Sequence, residues 1–288
     1  MKKIFQLIIV LMIVLVTAGA IFAQAETKTY IVGTSADYPP FEWIDSNGNY
    51  VGLDMDLIRA IAITEGFEVE FRDIGFDSLI PALQAGKIDI IAAAMNITSK
   101  RAKIVDFTDV YWKADQPVMV KKDSDLNIVT ALSQDHKVGA QRGTTQADWI
   151  QNNLVDKGVK VKLELYETND TGVMDLVNGR IDAFICDSPS AKVFSGNNPI
   201  KMVGVIYTGE EGYMAWLVQK GDPKKLLPLL NEGLKEVEGE IKDNLVEAYF
   251  AGDLKNIDKA YAQNKHFFTE EKDVAAYAEN LAKFMIAK

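Results

Sequence analysis

A seven-residue pattern occurs twice in this chain, as Leu83-Gln84-Ala85-Gly86-Lys87-Ile88-Asp89 and as Leu176-Val177-Asn178-Gly179-Arg180-Ile181-Asp182. Both copies read Leu-x-x-Gly-basic-Ile-Asp, and a strand-like apolar run follows each. Leucine and then glycine is how an amphipathic helix stops, because glycine takes the left-handed conformation that a Cβ penalises. One helix-to-strand unit used twice points to two similar halves; a chance match of a short helix stop is the alternative. From Thr29 onward strand-like and helix-like segments alternate, which favours an α/β architecture over a helical bundle or a sandwich. The expected fold is two lobes, each a mixed, mainly parallel sheet flanked by helices, joined by two hinge crossovers.

The two copies lead to different charges. The first continues as the buried run Ile90-Ile91-Ala92, passes through small residues into the polar turn Asn96-Ile97-Thr98-Ser99, and reaches Arg101. A guanidinium beyond small residues offers two parallel donors to a carboxylate, and the small side chains let a ligand approach the backbone. The plainer alternative is that Arg101 opens a solvated helix. The second copy continues as Ala183-Phe184-Ile185-Cys186 and reaches Asp187. Ligands of open α/β sheets bind beyond the carboxyl ends of strands, so facing lobes bring this cation and this anion to one crevice, where they suit the two ends of a zwitterion. A third segment fits the same place: the strand-like run from His136 to Ala140 enters Gln141-Arg142-Gly143-Thr144-Thr145, where free N–H groups at a helix N-terminus stabilise a carboxylate. Threonine is also an ordinary helix cap.

The N-terminus carries Lys2 and Lys3, an apolar run from Leu7 to Val16, and small residues up to Ala23-Gln24-Ala25. That is the form of a secretory signal, with removal expected after about Ala25. The stretch from Leu15 to Ala20 has alanine where a lipid-anchored chain needs cysteine, so no lipid anchor is expected. Cleavage removes 2 of the 31 basic residues and none of the 41 acidic ones, leaving 29 against 41, a formal charge of −12. Such a balance argues against nucleic acid or an anionic membrane as partner. Cys186 is alone, so no internal disulfide forms. No metal-spaced His/Glu set, Cys/His pair, phosphate-binding glycine loop or serine elbow is present; neither a cofactor nor catalysis is expected. Cys186 beside Asp187 is read as core, since neighbours in a strand face opposite ways.

Helices are expected after Asp54 (Leu57, Ile58, Ile61, Ala62 on one face), after Asp77 as its cap, and from Leu226 to about Phe250. Extended runs at residues 107–121 and 213–220 are expected as the crossovers, with hinges near 111–115 and 210–214. The division is then 26–113 plus 214–250 for lobe 1, 114–213 for lobe 2, and 251–288 for a helical extension. In that extension Thr269 caps a stripe of Val274, Tyr277, Ala278, Leu281, Phe284 and Met285, expected to pack on its own first lobe.

Six segments, GTSADYPPFE (33–42), VGLDMDL (51–57), LIPALQAGKIDIIAAAMNITSKR (79–101), VDFTDVY (105–111), VGAQRGTTQ (138–146) and NGRIDAFICD (178–187), stand in an order and spacing that resembles the extracytoplasmic solute-binding proteins of polar amino-acid ABC transporters. That resemblance covers the chain to about Phe250 and implies the type II periplasmic binding fold, a location in the periplasm, and a membrane permease as partner of a monomeric receptor. It implies that Arg101 takes the ligand α-carboxylate, helped by N–H groups near Asn96 and by Thr144 and Thr145. Asp187 receives the α-ammonium with a carbonyl of Ala93 or Ala94, Tyr38 stacks on the ligand side chain, and Gln141 touches it from the second lobe. Ser35 stands where many basic-amino-acid binders carry an acid, and Leu53 where relatives place a second aromatic. Asp37, Glu42 and Asp115 remain as acids for a cationic side chain, with Trp43 or Trp112 as walls. The implied ligand is a polar L-amino acid, arginine or another basic one ahead of glutamine and cystine. The alternatives are a sensor module and a cyclohexadienyl-dehydratase-like enzyme on the same fold.

Overall fold

A computed structural model describes residues 27–207 and 212–251; the expected leader, Glu210 of the second crossover and the helical extension lie outside the described residues. The first half runs through β1 (Thr29–Thr34), a small meander of β2 (Asp37–Tyr38), β3 (Glu42–Ile44) and β4 (Tyr50–Val51), the helix Leu53–Glu65, and β5 (Glu68–Asp73). The helix Phe76–Gln84, β6 (Ile90–Ile91) and β7 (Val105–Phe107) complete it. The chain crosses through β8 (Trp112–Lys113) into β9 (Gln116–Lys121), then β10 (His136–Gln141), the helix Thr145–Ile150, β11 (Val161–Tyr166) and the helix Asn169–Val177. After β12 (Ala183–Ile185), the helix Ser188–Asn197 and β13 (Ile200–Ile206), it returns through β14 (Tyr213–Met214) to β15 (Leu217–Gln219). The helices Leu226–Val237 and Glu240–Ala251 close the described chain.

Two five-stranded sheets result, ordered β5-β1-β6-β15-β7 and β11-β10-β12-β9-β13. They have one topology. Each begins with three parallel strands and receives an antiparallel fourth from the first long strand after a crossover, β15 in one and β9 in the other. The crossovers pair with each other as β8 and β14, Trp112 opposite Met214 and Lys113 opposite Tyr213.

The duplicated pattern does the same job in both lobes. Gly86 and Gly179 take φ of 68° and 70° and end their helices, donating to the carbonyls of Leu83 and Leu176. Three residues on, Asp89 and Asp182 each accept an N–H bond at 2.8 Å, from Ile31 and Lys137, fastening the helix-to-strand turn to the start of β1 and β10. Their own backbone N–H groups return the bond to the same two residues. The echo is thus a local helix stop with its own staple to the central strand.

Two capping expectations differ. The first helix begins at Leu53 behind Gly52, and the second behind Gly75, with Asp54 and Asp77 inside their first turns. Asp54 is fully buried and accepts the N–H of Ala94 at 2.9 Å, a tertiary bond that displaces the local cap. Asp77 stays near the exposed helix start, where a negative charge is still favourable.

Candidate functional site

Residues leaving the C-terminal ends of strands in both sheets wall one cavity, where ligands of open α/β sheets bind. Ser35 follows β1, Ala94 and Asn96 follow β6, Gln141 and Thr144 follow β10, and Cys186 and Asp187 follow β12. The meander between β1 and the first helix adds Asp37, Tyr38 and Glu42, and the second lobe adds Gln146 and Asn169.

Many of these side chains bond across the cleft. The Tyr38 hydroxyl donates to Asp187 Oδ2 at 2.8 Å and accepts the Asp187 N–H at 2.7 Å. Gln146 donates to the other oxygen at 3.1 Å. Asp37 of the first lobe accepts the N–H of Asn169, the first residue of the helix Asn169–Val177 in the second, a favourable place for an anion. Thr145 bonds Asn96 Oδ1 at 3.2 Å, and Thr144 caps its helix while donating to the Gln141 carbonyl at 2.7 Å. At the rim Lys100 meets Asp148 at 3.1 Å and Arg142 meets Asp77 at 3.8 Å, exposed pairs worth little.

Arg101 is buried, 8% exposed, in a short 3-10 turn rather than a solvated helix. Its terminal nitrogens donate to two carbonyls, Nη1 to Asn96 at 2.6 Å and Nη2 to Gly143 at 2.9 Å. One belongs to each lobe. Gly143 comes this close because it is a glycine: its φ is 80°, and a Cβ there would stand 2.9 Å from the Asp77 side chain. Burial pushes the guanidinium down to about 10, against the pull of Asp148 and Asp187. It stands behind Asn96, whose carbonyl it holds, and does not itself line the cavity.

The cavity is acidic. Burial raises Asp187 to about 6, against the bonds from Tyr38, Gln146 and Gln116 and the charge of Arg101. Asp37 is also raised to about 6, chiefly by burial. Behind them Asp54 is raised to about 7 by burial, with the Ala94 N–H, Tyr111 and Trp216 opposing. Glu42 is 1% exposed, neither of its oxygens has a hydrogen-bond partner, and burial followed by Asp54, Asp37 and Asp187 pushes it well above the carboxylate range.

The other expected residues are distributed as follows. Ser35 bonds Asp37 at 3.3 Å. Leu53 is fully buried in the apolar core, and Ala93 packs in a separate cluster with Phe76 and Leu79; neither lines the cavity, because each points into its lobe. Trp112 packs on Phe250 at 4.5 Å between centroids and edge-on to Phe41 at 6.0 Å, while Phe41 stacks on Tyr38 at 6.1 Å. Trp43 is edge-on to Tyr249, whose hydroxyl bonds Asp56. Both tryptophans thus face the last helix rather than a ligand. Asp115 is exposed and does not line the cavity. Cys186 is buried in the apolar core as expected, 2% exposed, and it also lines the cavity alongside Asp187, since β12 ends at Ile185 and Asp187 already caps a helix. Gln146, Asn169 and Phe76 were missed; Gln146 ends the Gly-Thr-Thr-Gln turn and was within reach of the sequence.

Two similar α/β lobes, a paired double crossover and a cavity lined by polar side chains of both lobes define a two-lobed ligand-binding protein. Residues 30–252 match the family model "Bacterial extracellular solute-binding proteins, family 3", and the chain belongs to that family. A probable histidine-binding protein of Neisseria gonorrhoeae is 33% identical over 229 residues, 78% of this chain and 84% of that one. The ABC transporter arginine-binding protein 1 of Escherichia coli K12 is 31% identical over 226 residues, 77% and 90% of the two chains. Among solved structures, an ancestral arginine-binding protein bound to arginine superposes with a TM-score of 0.71 at 37% identity, covering 77% of this chain and 98% of that one.

Proposed function

We propose that this protein captures an L-amino acid with a basic side chain between its lobes and presents it to the membrane permease of an ABC importer. The observation that carries the reading is the charge inside the cavity. Three carboxyls, Asp37, Glu42 and Asp187, line it, Asp54 acts on Glu42, and the buried Arg101 acts on Asp187. A basic amino acid brings two cations for the acids and one carboxylate for the guanidinium. Arg101 takes the α-carboxylate together with Thr144 and the N–H groups around it, because a buried guanidinium held only by carbonyls still favours an anion. Asp187 takes the α-ammonium, and Glu42 with Asp37 faces the side-chain cation. The names of the arginine- and histidine-binding relatives support the ligand class, and the first of them the transporter.

Closure follows from the same geometry. Arg101 and Asp187 belong to different lobes, so only the closed form joins them through one molecule. The rotation is placed at β8 and β14, with 26–113 plus 214–250 moving against 114–213. We assign binding rather than turnover: the Cys186 thiol is pushed well above its usual range by burial and then by Asp187, the opposite of an activated nucleophile. The leader sequence and the periplasmic relatives support a periplasmic location.

A thermal-shift screen against the common amino acids tests this. Arginine, lysine or histidine should raise the melting temperature most, since ligand at 1,000 times its Kd adds about 4 kcal/mol. A response confined to acidic or apolar amino acids, or none at all, overturns the reading.

A further inference from the structure

Glu42 is the feature of the cavity that the contacts between the lobes leave unused. Its carboxyl lies in the wall, 1% exposed, with both oxygens unpartnered. Every group facing it makes an anion there worse. Asp54 faces it from the first helix, Asp37 from β2 and Asp187 from the turn after β12; Tyr111 is the further titratable group beside it. The buried Arg101 acts on Asp187, not on Glu42. A desolvated carboxylate with no donor and three acidic neighbours neutralises instead of remaining charged.

We propose that Glu42 exchanges its proton for the side-chain cation of the ligand. In the empty cleft it is a carboxylic acid. When a guanidinium or ammonium arrives, the Glu42 O–H bond breaks, its electron pair stays on the carboxylate oxygen, and the proton leaves to water or buffer base. The carboxylate then pairs with the guest, and no net charge is added to the buried site. The direction of the Glu42 shift, well above the carboxylate range, agrees with this.

The exchange also sets selectivity. A neutral carboxyl offers one donor and one acceptor and matches a carboxamide side chain, whereas the anion offers acceptors only and matches a cation. Rising pH therefore moves preference from amide toward basic side chains. The sign is fixed by linkage: if binding releases a proton, affinity strengthens as pH rises, by up to about tenfold per unit for one proton.

This inference rests on the basic-amino-acid reading, and the experiment separates the two. The purified protein is titrated calorimetrically with L-arginine and with L-glutamine at pH 7, in phosphate and in Tris, whose ionisation heats differ widely. The expected result is release of roughly one proton per arginine, a clearly smaller release with glutamine, and an arginine affinity that rises between pH 6 and 8. In Glu42→Gln, isosteric with the neutral acid, the arginine release should fall by most of that proton and the pH slope should flatten. Arginine heat that is the same in both buffers, with a pH-independent affinity, overturns the exchange and leaves the function standing. Release that persists undiminished in Glu42→Gln also overturns it, placing the proton on Asp54, Asp37 or Asp187. If arginine, lysine and histidine all give no binding heat, the functional reading falls and the exchange with it.

Discussion

Tyr38→Phe removes a single oxygen atom from the seam between the lobes. That oxygen makes two bonds to one residue, donating to Asp187 Oδ2 at 2.8 Å and accepting from the Asp187 N–H at 2.7 Å. The ring remains, stacked on Phe41 with planes 19° apart, so shape and apolar contact survive. Asp187 is 4% exposed, so water does not replace what is lost. A bond to a charged acceptor contributes about 1.5–3 kcal/mol, and a buried N–H left unpaired costs about 1–3 kcal/mol. Together they set about 2.5–6 kcal/mol against the closed form, a change of about two to four orders of magnitude in its population. Calorimetry should find ligand affinity weakened by a comparable factor, and small-angle scattering of the liganded variant should show a larger radius at limiting ligand. The Tyr38 bond is also the leading influence holding the Asp187 carboxyl down against burial. Without it that carboxyl rises above about 6, so the deficit should widen as pH falls from 7.5 to 6. Affinity within threefold of the parent at both pH values, with an unchanged scattering curve, would refute the claim that this oxygen fastens the lobes.

Arg101→Ala should cost about 2–5 kcal/mol of binding, the scale for truncating one side of a buried charged contact, and unchanged calorimetric affinity would remove its assigned role. Gly172→Ala tests the second lobe: an added Cβ would lie 2.2 Å from Cε2 of the buried Phe184 ring, so overpacking should lower stability by about 1–3 kcal/mol in a denaturant titration, and no loss would mean that the ring shifts freely.

The duplicated helix stop was legible because its physics is local: a leucine, a glycine in the left-handed region and an aspartate within seven residues. Arg101 and Asp187 were legible for a related reason, each reached by the apolar run that follows such a stop. What the sequence concealed depends on burial by distant chain. Asp54 and Asp77 resemble helix caps, yet Gly52 and Gly75 hold those positions, and Asp54 instead answers a backbone N–H forty residues away. Strand alternation placed Cys186 in the core, where it lies, and gave no sign that it also lines the cavity. Leu53 and Trp112 occupy positions that the family resemblance assigns to the ligand wall, and their side chains turn into the core and onto Phe250. The orphaned state of Glu42 has no sequence signature, since it arises from three acids brought together from separate elements.

Strand order carries a consequence for how such a chain is made and exported. β15 is inserted between β6 and β7, so the first sheet lacks a central member until residues 217–219 are available. A polypeptide threaded through a pore amino end first therefore cannot complete either its first lobe or the adjoining face of the cleft while most of its length has yet to emerge.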